Sequence, residues 1–351
     1  MSKQDKINNF DPNGLGDENN TIFGLPFDSD EAEVVIIPVP WEVTVSYSAG
    51  TAMGPQAVYN ASYQVDLFDP KIKDAWKIGI AMEPASDDIA SKSESLRRKA
   101  EKYISWLEEG DSIEENDEMG KYLKTINEEC KEMNKEVKET CLSFLDKNKI
   151  VGLLGGDHST PLGLMQALAE KHNSFAILQI DAHADLRDAY EGFEFSHASI
   201  MFNALKIPQV SKLVQLGIRD YCEAEFNLIQ ESNGRIVTFF DRDIKTKQYE
   251  GATWASITND IIAQLPNDVY LSFDIDGLDP KLCPSTGKPV AGGFEFEQVL
   301  MLIEKIVDAG KRIIAFDINE IAPGGDEWDA NVGARLLYRI ANLVAKSNGR
   351  A

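Results

Sequence analysis

Cysteine, histidine and positive charge are all scarce in this chain. Its 351 residues include only four cysteines and four histidines, and 35 Lys and Arg face 58 Asp and Glu, a formal net charge of −23. Cys130, Cys141, Cys222 and Cys283 are scattered, with no Cys-x-x-Cys pair. That argues against a structural zinc site or a disulfide framework and fits a reduced, cytoplasmic protein. The acidic balance argues against nucleic acid and anionic membrane as partners and would steer a small cationic molecule inward. No apolar run approaches the roughly 20 residues that cross a bilayer. Met1 to Asn20 is polar and lacks the apolar core of an export signal. Residues 1–23 are therefore expected to form a loose polar arm ahead of one domain over 24–351.

Three short motifs stand out: Gly155-Gly156-Asp157-His158-Ser159, Asp181-Ala182-His183-Ala184-Asp185, and Ser272-Phe273-Asp274-Ile275-Asp276-Gly277-Leu278-Asp279-Pro280. The second and third follow apolar runs, Phe175 to Ile180 and Val269 to Phe273, that read as buried parallel strands. Alternate residues share a face, so at the strand ends Asp181, His183 and Asp185 can converge with Asp274 and Asp276. With His158 they make four carboxylates and two imidazoles, more than one tetrahedral ion uses and suited to two ions with bridging carboxylates. Oxygen-rich donors without thiolate favour manganese over zinc, while nickel or cobalt fits the same ligands. One Asp-rich turn alone is equally well explained as a helix cap, but three in this order are not. His158, His183 and His197 lie in or just after the motifs, which leaves His172 as an expected surface residue.

From Ile150 onward apolar strands alternate with amphipathic helices, which predicts a single three-layer α/β/α domain with a mainly parallel sheet. Expected strands cover 150–154, 175–180, 212–216, 236–240, 269–273 and 312–317. Expected helices cover 162–172, about 198–205, 224–232, 255–262, 296–309 and 330–345. Upstream, 33–38 reads as a strand and Gly54-Pro55 opens a helix to about Tyr63. Between them lies a loop, 40–51, in which Trp41, Thr44 and Tyr47 are candidates to line an entrance. An enlarged helical segment over about 84–148 carries two apolar stripes, one through Leu96, Ala100, Tyr103, Ile104 and Leu107, the other through Leu123, Ile126, Cys130, Met133, Val137, Cys141 and Phe144. An acidic loop, 108–120, joins them. The stripes are expected to face the core, with an oligomer contact as the alternative.

Together the motifs resemble the signatures of the ureohydrolase family of arginases and agmatinases, over about Val34 to about Val344. The resemblance implies an arginase-like catalytic domain, a homo-oligomer (trimer or hexamer) and two manganese ions. One ion would be held by His158, Asp181, Asp185 and Asp274, the other by Asp181, His183, Asp274 and Asp276, with Asp181 and Asp274 as bridges. The stretches Thr286 to Gly293 and Phe316 to Pro323 also resemble family segments, the latter carrying the substrate-binding glutamate, here Glu320. By the same resemblance Asp185 delivers a proton to the departing nitrogen and His197 shuttles protons to bulk water. Asp157 is expected to orient a ligand or neighbouring loop, and Asp279 to start the turn at Pro280.

The implied reaction is hydrolysis of a guanidino compound with release of urea. Two cations can lower the pKa of a shared water, and the delocalised guanidinium, a poor electrophile, must be held in plane by a carboxylate. The segment Leu186 to His197 lacks the Asn and Ser pattern of arginase-like members and resembles agmatinase-like ones. Agmatine is thus the first expectation, with Glu191 or Glu194 at the rim for its amine. Free guanidine is the runner-up, with Trp41 or Phe193 shortening the pocket, and formiminoglutamate or a guanidino acid are further alternatives. A different class, the metal-dependent deacetylases of related fold, carries paired histidines near the metal that the sequence does not show.

Overall fold

Alternation along the first strand, β1 (Val34–Val39), sets the architecture: Val34 and Ile36 enter one hydrophobic core, Val35 and Ile37 the other. The computed structural model describes residues 1–17, 19–110 and 117–351. The further strands are β2 (Ile80–Met82), β3 (Ile150–Gly155), β4 (Phe175–Ile180), β5 (Val210–Leu216), β6 (Ile236–Phe239), β7 (Asp268–Asp274) and β8 (Arg312–Asn319). They form one sheet in the order β2-β1-β3-β8-β7-β4-β5-β6, parallel throughout. Both faces are covered, which is why the central strands are runs of Val, Ile and Leu rather than alternating polar and apolar residues.

The helices are α1 (Lys3–Asn9), α2 (Gly54–Ser62), α3 (Asp87–Glu108), α4 (Asp117–Leu145), α5 (Leu162–Lys171), α6 (Ile200–Ala204), α7 (Glu223–Glu231), α8 (Asp241–Tyr249), α9 (Trp254–Ile262), α10 (Phe296–Asp308) and α11 (Trp328–Ser347). Buried residues of α2, α8, α9, α10 and α11 join the first core, and those of α3, α4, α5, α6 and α7 the second. The result is a three-layer α/β/α fold. Both stripes of the enlarged segment face the core: Leu96, Ala100, Tyr103 and Ile104 of α3 and Ile126, Cys130, Met133, Val137, Cys141 and Phe144 of α4 are buried. Of the acidic loop expected between them, residues 111–116 lie outside the described residues, and Asp117 to Gly120 form the first turn of α4.

Two expectations need correction. The first 23 residues are not a loose arm. Ser2 and Asp5 close a capping box at the start of α1, Ile7 and Phe10 pack against the first core, and Phe10 meets Trp76 at 5.1 Å between ring centroids. Ile22 and Phe23 are fully buried. A few apolar residues at helical spacing dock a segment whose average composition is polar. The second is α8, in a stretch for which no element is expected: its charged sequence carries one buried apolar anchor, Ile244.

The four central strands β3, β8, β7 and β4 end side by side, with Asp274 paired to Asn319 across β7 and β8. A Cβ on Gly155 would lie 1.8 Å from Asn319 Oδ1 and 2.2 Å from Thr160 Oγ1. Only glycine lets β3 turn away at that point. All three motifs, together with Glu320, therefore emerge at one carboxyl-end edge of the sheet, where such folds place their ligand sites.

Candidate metal centre

His158, next to the end of β3, is buried with its Nδ1 3.0 Å from Asp181 Oδ2, 3.0 Å from Asp185 Oδ2 and 3.4 Å from Asp274 Oδ2. This nitrogen makes no well-aligned hydrogen bond with any of them. The opposite nitrogen, Nε2, lies 2.9 Å from Ser272 Oγ, whose hydroxyl donates to Asp317 Oδ1 at 3.1 Å. The ring plane is thereby fixed, with Nδ1 turned to the carboxylates. Across from it, His183 Nδ1 lies 2.9 Å from Asp276 Oδ2 and 3.7 Å from Asp181 Oδ1. Two ligand groups result, His158, Asp181 and Asp185 in one and Asp181, His183 and Asp276 in the other, each with donor atoms within 4.8 Å of one another. Asp181 is common to both.

Two short backbone turns and one bond between strand ends aim these side chains. Asp181 Oδ1 accepts the amide of His183 at 2.6 Å, Asp274 Oδ1 that of Asp276 at 2.8 Å, and Asp276 Oδ1 that of Ala182 at 3.0 Å. These bonds leave the second oxygens of Asp274 and Asp276 facing His158 and His183. Behind them Gln179 Nε2 donates to Asp181 Oδ2 at 2.8 Å.

Burying acids this close together is unfavourable without added positive charge. Burial and then the charges of Asp276 and Asp181 push the Asp274 carboxyl well above the usual range, and burial with Asp181 pushes Asp185 up to about 7. Hard divalent cations relieve that strain, and an oxygen-rich set with two imidazoles and an unsatisfied His158 Nδ1 fits them.

These residues open into a cavity of about 140 Å³ that also takes in His197 and Glu320. Glu320 follows β8 with φ 64°, a left-handed backbone that its neighbours hold in place. Its amide donates to Gly156 O at 2.8 Å, its carbonyl accepts from Thr286 Oγ1 at 2.8 Å, and its Oε1 accepts the amide of His158 at 2.9 Å. A Cβ on Gly287 would lie 2.6 Å from Glu320 Oε2, so glycine keeps that oxygen clear. His197 lies in a short 3-10 turn, edge-on to Tyr190 at 6.1 Å. Burial, then the charges of His183 and Lys288, lowers its imidazole to about 3, so it is neutral at neutral pH.

Of the residues expected at the site, His158, His183, Asp185, Asp274, Asp276, His197 and Glu320 line one cavity, and Asp181 lies fully buried against His158 and His183. Several other expectations do not hold. Trp41 and Phe193 are fully buried in the second core and do not reach the cavity, and Thr44 is buried behind it, accepting the His197 amide at 3.3 Å. Of the three loop candidates only Tyr47, 75% exposed, lines the mouth. Glu191 and Glu194 are absent from the cavity wall; the loop that carries them turns both away from it. Asp157 binds its own loop, accepting from the amide of Ser159 at 2.9 Å and from its hydroxyl at 2.5 Å. Asp279 does begin the turn, accepting the Lys281 amide at 3.0 Å.

The sequence reading missed the rim. Asp220 Oδ2 lies 2.7 Å from Lys288 Nζ and 3.6 Å from His183 Nε2, and Arg187 Nε lies 3.5 Å from Glu225 Oε2. All four charged side chains line the cavity, with Tyr190 and Tyr221. Asp220 follows the end of β5, the same strand-end signal that marked the ligands.

A family model described as the arginase family matches residues 32–342. N(1)-aminopropylagmatine ureohydrolase of Thermus thermophilus is 29% identical over 320 residues, 91% of this chain and 93% of that protein. Agmatinase of Cronobacter sakazakii is 28% identical, covering 93% and 91%. Among solved structures, agmatine ureohydrolase of Thermoplasma volcanium shares the fold with a TM-score of 0.70 at 20% identity, over 99% of each chain. That family depends on a binuclear metal centre, and the two ligand groups described above supply a place for one. The chain belongs to the arginase family and is a ureohydrolase, an enzyme that hydrolyses amidino C–N bonds.

Proposed function

We propose that this ureohydrolase acts on a guanidino compound bearing a protonated amine tail, agmatine first, and releases urea and the diamine. The observation that carries the proposal is the shape of the cavity. Glu320 shares its wall with His158, His183, Asp185 and Asp276 of the two ligand groups, while Trp41 and Phe193, the aromatics able to shorten it, are packed in the core, leaving Tyr47 exposed at an open mouth. The names of its relatives point the same way.

His158, Asp181, Asp185 and Asp274 would hold one divalent cation, and Asp181, His183, Asp274 and Asp276 the other, manganese first and nickel or cobalt as alternatives. When bound, such a pair supplies an activated water and Lewis acidity at the amidino carbon. The chain does the rest. Glu320 binds the guanidinium and fixes its plane, its own orientation set by the His158 amide. Asp185, raised to about 7, is poised to carry a proton to the departing amine near neutral pH. Neutral His197 accepts a proton at one ring nitrogen while donating from the other, linking the site to solvent.

A second reading, hydrolysis of free guanidine, is favoured by the rim charges, since Asp220 and Glu225 are already paired with Lys288 and Arg187. A urea-release screen of manganese- and nickel-loaded protein with agmatine, aminopropylagmatine, guanidine, arginine and 4-guanidinobutyrate separates them. Highest kcat/KM on an amine-tailed substrate is the expected result; highest kcat/KM on guanidine replaces the first reading with the second. Assembly as a trimer or hexamer belongs to the same proposal, and sedimentation velocity tests it.

A further inference from the structure

The two loops that form the cavity mouth are both tied to the enlarged helical pair, α3 and α4, which itself contributes no residue to the cavity wall. On the first loop, Ser93 Oγ of α3 accepts the amide of Glu42 at 3.0 Å, and Arg97 donates to the carbonyls of Val43, at 3.4 Å, and of Val45. Val45, Ser46 and Tyr47 line the mouth directly after these contacts. On the second loop, Asn127 of α4 makes a two-way bond: its Nδ2 donates to Gly192 O at 3.1 Å and its Oδ1 accepts the amide of Glu194 at 2.9 Å. Tyr103 of α3 packs edge-on against Phe193 at 5.3 Å. Tyr190 and His197, either side of this anchor, are cavity residues.

The pattern is selective. Both loops are long stretches without regular hydrogen bonding, and on each the helices reach main-chain groups that no sheet neighbour satisfies. Arg97 is 14% exposed, and its Nη1 reaches two carbonyls two residues apart, which fixes the turn of the loop rather than one point on it, while its Nε is held by Glu101 at 3.1 Å. Asn127 pairs with a donor and an acceptor in the manner of a strand partner. The expected metal ligands and Glu320, by contrast, are aimed by contacts among the strand ends themselves.

We infer that α3 and α4 act as a clamp on the two mouth loops, with Arg97 and Asn127 as positioning residues that set recognition of the substrate's tail and leave the guanidinium end untouched. The inference rests on the proposed function for its substrate and on the structure alone for its loop contacts, so the two are tested by separate readouts. The metal-loaded full chain and the variants Arg97→Met, Arg97→Lys, Asn127→Ala and Asn127→Asp serve for both.

Hydrogen exchange is the substrate-free readout. Arg97→Met is expected to speed exchange about tenfold at residues 43–47, and Asn127→Ala at 190–196, with β4 and β7 unchanged. In kinetics, KM for the amine-tailed substrate is expected to rise about tenfold with kcat within twofold, while kcat/KM for guanidine and the bound metal stay as in the wild type. Arg97→Lys, which keeps the charge and a donor, should recover most of the KM. Asn127→Asp, which keeps the acceptor but not the donor, should fall between Asn127→Ala and the wild type. Unchanged loop exchange, or an equal loss toward guanidine and the tailed substrate, or loss of metal, overturns the clamp. If Arg97→Met fails to fold, the Arg97→Lys and Asn127 variants decide it. A wild-type protein that releases urea from no guanidino compound sinks the functional reading, while loop exchange still decides the clamp.

Discussion

Glu320 Oε1 accepts the backbone amide of His158 at 2.9 Å, joining the end of β8 to the loop after β3. One carboxylate oxygen is thereby committed to the loop that carries an expected metal ligand, and the other, Oε2, sits over Gly287 on the cavity side. The proposed guanidinium holder and the candidate metal loop are positioned as one unit. Glu320→Gln keeps an acceptor for the His158 amide and removes the charge. It should retain bound metal and thermal stability while kcat/KM falls by about 10- to 150-fold, the equivalent of a hydrogen bond to a charged group at roughly 1.5–3 kcal/mol. Urea-release kinetics with metal analysis on the same sample checks this; wild-type turnover would move the holder elsewhere.

Asp181 is the residue common to both ligand groups, and it is fully buried. Asp181→Asn preserves size and the acceptor for the His183 amide but removes a shared negative charge. The expected result is near-complete loss of turnover together with less than half of the wild-type metal content, and a far-UV spectrum unchanged from the wild type. Full metal occupancy with normal activity would rule out a shared ligand.

The sheet and the convergence of the candidate metal residues were legible because both obey strong local rules. Continuous apolar runs mark doubly covered strands, and acids and imidazoles at period-two spacing after such a run converge. Thus 175–180 is read to the residue, and His158, Asp181 and Asp274, from three unconnected stretches, do come together in the structure. The rim was illegible for the opposite reason. Whether Trp41 or Tyr47 faces the cavity depends on how a loop without periodicity packs against α3, and Arg97 lies some fifty residues away from the carbonyls it holds. Likewise the apolar docking of α1 comes from Ile7 and the Phe10 that follows it, too few residues to register against their polar neighbours.

Asp157 gives a stability test independent of catalysis. It is fully buried, and burial raises its carboxyl from 3.8 to about 6 despite the hydrogen bonds from Ser159. An acid whose folded pKa is raised binds its proton more tightly in the folded state. Its penalty is absent below the unfolded value near 4 and grows as pH climbs through about 6. Asp157→Asn, which keeps an acceptor for Ser159, should therefore leave stability unchanged at pH 4 and raise it by roughly 1–3 kcal/mol at pH 7.5. Urea denaturation at the two pH values checks it, and equal stabilisation at both would assign the effect to packing rather than charge.

Lys288 offers the sharpest probe of tail charge. Its ammonium sits 2.7 Å from Asp220 Oδ2 on the cavity wall, and both side chains are about half exposed. A surface pair of this kind contributes little to folding, on the order of 0–1 kcal/mol, so Lys288→Ala should fold normally. What it changes is the electrostatics of the mouth. An alkylammonium tail like that of agmatine is the same chemical group as the lysine and competes with it for Asp220. Removing Lys288 frees the carboxylate and takes away a like charge, so KM for agmatine should fall about three- to tenfold, and the gain should shrink with added salt as the Debye length contracts. Guanidine, which has no tail, should show no change, and 4-guanidinobutyrate should bind less well. A KM for agmatine that is unchanged at low salt would place the tail away from Asp220; a KM that rises would make Lys288 a contact of the substrate rather than its competitor.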